Sequence, residues 1–154
     1  MLLDGRGVKV PGFEKGNFIG ATVIDHCKPG TAAYDEEIFG PVLCIVRVNT
    51  LQEGIDLINA HQYGNGTAIF TRSGNAARKF QHEVECGQIG INLPIPVPLP
   101  MFSFTGNKNS MWGTSNFYGK GAIQFFTQWK TITARWKEDH EDAQKMQTHF
   151  PTMK

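Results

Sequence analysis

Two apolar stretches in the first third of the chain have the composition of buried β-strands. Residues 18–24 consist of Phe-Ile-Gly-Ala-Thr-Val-Ile, and residues 42–48 are apolar at successive positions until Arg47. A segment that is apolar on both faces is typical of a strand inside a parallel sheet. Shorter strands are predicted over residues 67–71 and 88–92, and the alternation over residues 131–136 predicts a half-buried strand.

Helix signals lie between these strands. Thr50 and Glu53 have the spacing of a capping box, in which the Thr hydroxyl accepts from the backbone N–H of the Glu. Apolar residues then follow at helical spacing, at Leu51, Ile55 and Ile58. Ser73 predicts the start of a second helix, which Gly87 closes. One face of that helix carries Ala77, Phe80 and Val84.

The order of these elements predicts the fold class. Strand and helix alternate as β-α-β-α-β, which is typical of an α/β fold. A third helix is predicted over residues 115–128, although Gly119 and Gly121 weaken it. Residues 5–17 are rich in Gly and Lys, which predicts a hairpin-like segment with tight turns before the first strand.

Composition narrows the class of protein further. The chain has 154 residues, of which 40% are hydrophobic and 19% charged, as in a folded domain. The formal net charge is +1, so no basic stripe indicates a nucleic-acid partner. No apolar run approaches the ~20 residues that span a bilayer, so no membrane partner is expected. Three cysteines, an odd number, indicate free thiols in a reducing compartment.

The segment before the second buried strand is the first candidate site. It contains Glu36, Glu37, Phe39 and a Gly40-Pro41 turn, directly before residue 42. A carboxylate and a flat aromatic ring therefore stand at the mouth of a strand, where open α/β folds bind ligands. A solvated Glu pair ahead of a tight turn is the alternative interpretation of the same residues.

The segment Glu-Glu-Ile-Phe-Gly-Pro-Val at residues 36–42 resembles a motif of the aldehyde dehydrogenase superfamily. Segments 63–71, 87–92 and 130–133 resemble other motifs of that superfamily, in the same order. The resemblance implies that Glu37 accepts hydrogen bonds from the nicotinamide ribose of NAD and that Phe39 packs beside this ribose. An ionised carboxylate, which only accepts hydrogen bonds, suits a vicinal diol.

A proline-rich loop narrows the resemblance to one branch. Prolines occupy positions 94, 96, 98 and 100, within a segment over residues 92–106 that resembles the methylmalonate-semialdehyde dehydrogenases. The members of this branch are acylating and use CoA as the acyl acceptor. The even spacing of the prolines does not fit an SH3 ligand, which needs prolines three residues apart. By resemblance, Asn92 and Phe104 line the acyl pocket, with core packing as the alternative for Phe104.

The family chemistry needs a Cys thiolate, which attacks the aldehyde carbonyl before hydride passes to NAD. The family carries this Cys in a G-Q-x-C segment, whereas Gly87-Gln88 is followed here by Ile89-Gly90. We therefore expect no catalytic residue among Cys27, Cys44 and Cys86. His82 and Cys86 are four residues apart, but no second pair completes a metal site, so no metal is expected.

The expected organisation follows from the resemblance. Residues 1–129 would be the C-terminal part of the catalytic domain, residues 130–136 an oligomerisation strand shared between identical subunits, and residues 137–154 a charged, mobile tail. Without the nucleophile and the cofactor domain, such a chain would be inactive alone. The resemblance implies a mitochondrial location, although no transit-peptide pattern is visible.

Two alternatives remain open at this stage. The chain could be a non-catalytic interaction partner that joins full-length aldehyde dehydrogenase subunits. It could also be a fragment of a hydrolytic aldehyde dehydrogenase, in which water rather than CoA resolves the thioester.

Overall fold

The computed structural model describes residues 1–136. Within this range the strands are β1 (Thr22–Ile24), β2 (Val42–Cys44), β3 (Tyr63–Gly64), β4 (Gly66–Ile69), β5 (Gln88–Ile91) and β6 (Asn107–Lys108). The helices are α1 (Ala32–Asp35), α2 (Leu51–Ala60), α3 (Gly74–Glu83) and α4 (Gly121–Phe126). The tail at residues 137–154, including its expected mobility, lies outside the described residues.

Two parallel strand pairs organise the chain. β1 pairs with β2 across α1, with Thr22 opposite Val42, and β4 pairs with β5 across α3, with Gly66 opposite Gln88. β3 and β6 form a short antiparallel pair. The strand and helix order is the α/β order that the sequence predicts, but the described strands form three separate two-stranded sheets. A parallel pair has slanted hydrogen bonds and usually lies within a larger sheet, so these pairs leave edges open.

A small apolar core holds α2 and α3 against the β4–β5 pair. Its buried members are Ile55, Phe80 and Val84, and Ile69 and Ile89 pack against them. The caps form as expected, since Thr50 Oγ1 accepts from the N–H of Glu53 at 3.1 Å and Ser73 Oγ from Ala76 at 3.2 Å. The Glu53 carboxylate reaches back to the N–H of Asn49, one residue before the cap, at 2.7 Å.

Several elements are shorter than the sequence predicts. The strands expected over 18–24 and 42–48 are reduced to three residues each. The helix expected over 115–128 is limited to Gly121–Phe126, because Gly119 takes a left-handed conformation with φ of 58°. α3 ends at Glu83, with Val84 already extended, rather than at Gly87.

Residues 130–136 form no strand within the described chain and are exposed. A strand needs a partner to supply its hydrogen bonds, so a single chain does not test the expected oligomerisation strand. Among residues 1–136, no helix is long and apolar enough to cross a bilayer.

Candidate functional site

A cleft of about 450 Å³ opens between the end of α1, the end of α2 and the β3–β4 turn. Glu36 and Glu37 lie on one wall, His61 and Tyr63 on another, and Cys86 and Ser110 complete the lining. The cleft therefore combines two carboxylates with aromatic and small polar groups, as a binding site for a polar ligand requires.

Glu37 lies on this cleft, at the position where the chain leaves α1. Glu36 ends the helix with extended backbone angles, φ −92° and ψ 141°, which turn the next residue away from the helix axis. The Glu37 side chain is exposed and forms no ion pair with any residue that the structure describes. Its carboxylate is available to accept hydrogen bonds from a diol.

Phe39 does not line the cleft with Glu37. Its side chain is 92% exposed, ahead of the Gly40-Pro41 turn that leads into β2. The sequence-predicted pair is therefore split in the described chain, with Glu37 on the cleft wall and the Phe39 ring at the surface. An apolar ring at this exposure offers a flat surface to a ligand or to another protein segment.

Hydrogen bonds attach the end of α1, which directly precedes Glu36 and Glu37, to the end of α2. His61 Nδ1 accepts from the N–H of Tyr63 at 3.1 Å, and a backbone N–H can only donate. Nε2 must therefore carry the proton of the neutral ring, and it donates to the carbonyl of Tyr34 at 3.1 Å. Gln62 Nε2 donates to the carbonyl of Asp35 at 2.8 Å. Both ring nitrogens of His61 are thus used in positioning, so the ring is not a free base.

Lys108 is the main residue of this region that sequence reasoning missed. Its Nζ donates to the carbonyls of Ile58, Asn59 and His61 at 3.1, 2.7 and 3.1 Å. These carbonyls belong to the C-terminal end of α2, where the helix dipole is negative. The Ile58 carbonyl also accepts from the N–H of His61, whereas the last carbonyls of a helix have no partner in a following turn. Lys108 comes from β6, about 50 residues away, so no local pattern could predict the contact.

The Asn92 side chain is occupied within the fold. Its Oδ1 accepts from the N–H of Thr71 at 2.8 Å, and its Nδ2 donates to the carbonyl of Thr71 at 3.1 Å. Asn92 itself has φ of 56°, which Asn tolerates better than most residues. This double contact fastens the end of β5 to the end of β4, and Asn92 does not line the cleft described above.

Phe104 packs in an aromatic cluster rather than in the cleft. Its ring lies 6.1 Å from that of Phe117 and 5.9 Å from that of Tyr118, between ring centroids. The loop that carries it is fastened to β5, because Gln88 Nε2 donates to the carbonyl of Thr105 at 2.8 Å. Phe104 therefore lies in a partly exposed aromatic cluster, and both its role in an acyl pocket and the core-packing alternative stay predictions.

Cys86 lies on the same cleft as Glu37, which the sequence did not predict. Burial raises the pKa of the Cys86 thiol, and the positive charge of Lys108 only partly opposes this effect. A thiol that stays protonated is a poor nucleophile. Because α3 ends at Glu83, Cys86 and His82 do not share a helix face, and the described residues contain no cluster of metal ligands.

Comparison with known proteins shows the family of the chain. The sequence model described as "Aldehyde dehydrogenase family" matches residues 1–132. The chain belongs to the aldehyde dehydrogenase family. It is 56% identical over 153 residues to a mitochondrial, acylating methylmalonate-semialdehyde/malonate-semialdehyde dehydrogenase of Bos taurus, covering 99% of this chain and 28% of that protein. An acylating methylmalonate-semialdehyde dehydrogenase of Arabidopsis thaliana is 61% identical over 138 residues, covering 90% of this chain and 23% of that protein.

Solved structures of the family give the same result. The methylmalonate-semialdehyde dehydrogenase of Oceanimonas doudoroffii superposes with a TM-score of 0.81 at 52% identity, covering 89% of this chain and 28% of that chain. The corresponding protein of Sinorhizobium meliloti, solved with NAD, superposes with a TM-score of 0.81 at 46% identity and 91% coverage of this chain. The chain therefore spans about 28% of the length of these family members.

Proposed function

We propose that this chain forms the C-terminal part of the catalytic domain of an NAD-dependent, CoA-acylating methylmalonate/malonate-semialdehyde dehydrogenase. The observation that carries the proposal is Glu37, an exposed carboxylate on a cleft that forms no ion pair within residues 1–136, in a chain whose relatives are named for this activity. Those relatives also support a mitochondrial location for the parent enzyme. Residues 130–136 would supply the subunit contact of a homo-oligomer.

Glu37 is the residue that fits NAD. Its carboxylate would accept hydrogen bonds from the two hydroxyls of the nicotinamide ribose, and charge-assisted bonds of this kind are among the stronger ones. Phe39 would cover one side of that ribose. When bound, NAD supplies the hydride acceptor of the reaction. The His61 and Gln62 contacts to Tyr34 and Asp35 would keep Glu37 at a fixed distance from the ribose.

The reacting thiolate would come from outside residues 1–136. Cys27 is buried, and the Cys44 thiol donates a hydrogen bond to the carbonyl of Ala33. Burial raises the pKa values of Cys44 and Cys86. None of these thiols has the character of an activated nucleophile. We therefore expect the 154-residue chain to bind NAD weakly and to form no NADH alone.

A reconstitution experiment tests this function. The purified chain is mixed with the upstream segment of the bovine relative, ending just before the matched stretch, and NADH formation is measured with malonate semialdehyde, NAD and CoA. We expect activity only in the mixture, because the thiolate and Glu37 come from different segments. NADH formation by this chain alone, or none from a mixture that forms a complex, would contradict the proposal.

Two matched variants test the role of Glu37 within the active mixture. Glu37→Gln keeps the shape but removes the charge, so we expect the KM for NAD to rise about tenfold, as the loss of a charge-assisted hydrogen bond implies. Glu36→Gln, on the same cleft, should change the KM for NAD less than twofold, a range typical of an exposed surface substitution. Equal effects of the two substitutions would refute the assignment of the ribose contact to Glu37. The activity of the reconstituted mixture would still support the proposed function.

The same assay separates the CoA-dependent and hydrolytic branches. CoA-dependent turnover with acyl-CoA as product supports the acylating branch, whereas equal rates without CoA support the hydrolytic alternative. A second function, docking onto full-length subunits without catalysis, is favoured by the exposure of Trp129, Ile132 and Trp136. Native mass spectrometry after co-expression with the full-length bovine relative would detect the mixed oligomer that this alternative requires.

A further inference from the structure

Two of the three thiols lie next to each other beneath α1, a site that the dehydrogenase chemistry does not use. Cys27 follows β1 and Cys44 ends β2, and each thiol contacts a residue at the start of α1, Thr31 for Cys27 and Ala33 for Cys44. The Thr31 hydroxyl donates to the carbonyl of Lys28, so at 3.4 Å it accepts from the Cys27 thiol. The Cys44 thiol donates to the carbonyl of Ala33 at 3.2 Å. Each thiol therefore directs its single proton toward the same short helix.

The backbone explains why the two thiols share a face. Ile24 lies opposite Cys44 in the parallel register, so these two residues point to the same side of the pair. Alternation would turn residue 26 to that side and Cys27 to the other. However, the two hydrogen-bond partners of Ile45 on the other strand are three residues apart. The N–H of Ile45 donates to the carbonyl of Ile24, and the carbonyl of Ile45 accepts from the N–H of Cys27.

A regular parallel ladder would bond residues two apart, so one residue is inserted here. The inserted residue is His26, whose φ of 53° is unusual for a residue other than glycine. Asp25 supports this conformation, because Oδ1 accepts from the N–H of His26 at 2.8 Å while Arg47 holds the carboxylate. The insertion moves Cys27 to the face that carries Cys44.

The backbone also brings the two cysteines close to each other, as a disulfide requires. Cys27 is bonded through its N–H to Ile45, the residue after Cys44, at 2.9 Å. Burial, followed by the nearby Cys27 thiol, raises the pKa of the Cys44 thiol.

We propose that Cys27 and Cys44 form a dithiol that a hydroperoxide closes to an intramolecular disulfide, a modification site separate from the NAD chemistry. Hydrogen peroxide converts one thiol to a sulfenic acid and releases water. The second thiol attacks that sulfur, the S–S bond forms, and a second water leaves, so two electrons pass from the two sulfurs to the peroxide. Cys86, on the cleft beyond α2, has no thiol partner in this arrangement.

Mass spectrometry of the purified 154-residue protein tests the proposal without any need for activity. The reduced protein is treated with hydrogen peroxide, alkylated, and cleaved after glutamate, which separates the cysteines at Glu37 and Glu85. We expect one cross-linked species joining Cys27 and Cys44, with Cys86 alkylated. Wild-type protein in which both stay alkylatable, or in which pairing spreads over all three thiols, would overturn the proposal.

A matched variant separates side-chain geometry from closeness in sequence. Cys44→Ser combined with Ile45→Cys moves the thiol by one residue to the opposite face of β2 and leaves the loop length nearly unchanged. We expect about tenfold less cross-linking in this variant than in wild type, because a disulfide needs its Cβ vectors to converge. Equal cross-linking would refute the geometric argument. Cys86→Ser should cross-link like wild type, and if it does not, the assignment of the pair is wrong.

Discussion

At the scale of single residues, hydrogen bonds from the end of α2 position the backbone beside Glu37. The ribose contact of Glu37 stays a prediction. A carboxylate before a strand is visible in a motif, since its neighbours in sequence define it. Lys108 was missed because it contacts α2 across about 50 residues, and such a contact has no local signature. Asn92 was singled out in the sequence, but its two hydrogen bonds to the backbone of Thr71 could not be predicted, because they depend on the pairing of β4 with β5.

Lys108→Met tests the contribution of the three carbonyl contacts. Hydrogen bonds to a charged group each contribute about 1.5–3 kcal/mol at most, and the contacts share one ammonium group, so we expect a loss of about 2 kcal/mol in the free energy of unfolding. Urea denaturation followed by circular dichroism measures this loss. Lys9→Met, at an exposed position, should change stability by less than about 0.5 kcal/mol. A similar small effect for Lys108→Met would show that α2 is capped by solvent instead.

At the scale of elements, α2 and α3 were predicted because their signals are local. A capping hydroxyl and an apolar face lie within one or two turns, and both helices begin where the caps indicate. The strands were predicted too long, since a ladder depends on partners elsewhere and each described pair extends only as far as both members run together. The helix over 115–128 was shortened by Gly119, whose positive φ the sequence could suggest but not locate.

Thr50→Ala tests whether the cap of α2 stabilises the core as its geometry implies. The substitution leaves the N–H of Glu53 without the Thr50 acceptor and loosens the contact from Glu53 to Asn49, so we expect a loss of about 1 kcal/mol in the free energy of unfolding. Thr114→Ala is the control, because Thr114 is exposed and outside any helix. Thermal or urea unfolding of the two variants, compared with wild type, gives the difference. An equal loss of stability in both variants would mean that the Thr50 side chain contributes no more than an exposed threonine outside a helix.

At the scale of the whole molecule, the chain buries little for its size. Ile55, Phe80 and Val84 form the buried core of the described residues, while many large apolar side chains remain at the surface. Monomeric proteins seldom keep such a surface uncovered. The open strand edges point in the same direction, and the chain spans about 28% of its family relatives. The distribution of apolar surface therefore supports the proposal that other segments of a longer protein cover these side chains.

Tryptophan fluorescence tests directly whether another segment covers the exposed apolar side chains. All three tryptophans, Trp112, Trp129 and Trp136, are more than 90% exposed in the described chain. In dilute, monomeric protein we expect acrylamide to quench their emission as readily as that of a free indole. Addition of the upstream segment of the bovine relative should shift the emission to the blue and protect the indoles, because docking would move them from water into an apolar contact.

Single-tryptophan proteins identify which surface is covered. Keeping only Trp129 or only Trp136, with the other tryptophans changed to Phe, reports on the segment expected to pair between subunits, and keeping only Trp112 reports on the 107–113 turn. Protection of Trp129 and Trp136 in this chain alone, rising with its concentration, would indicate self-association of the 130–136 segment. Protection only after the upstream segment is added would indicate that intersegment contacts cover it. No protection in either case would contradict the view that this face is an interface, since exposed indoles that meet a partner must lose access to the quencher.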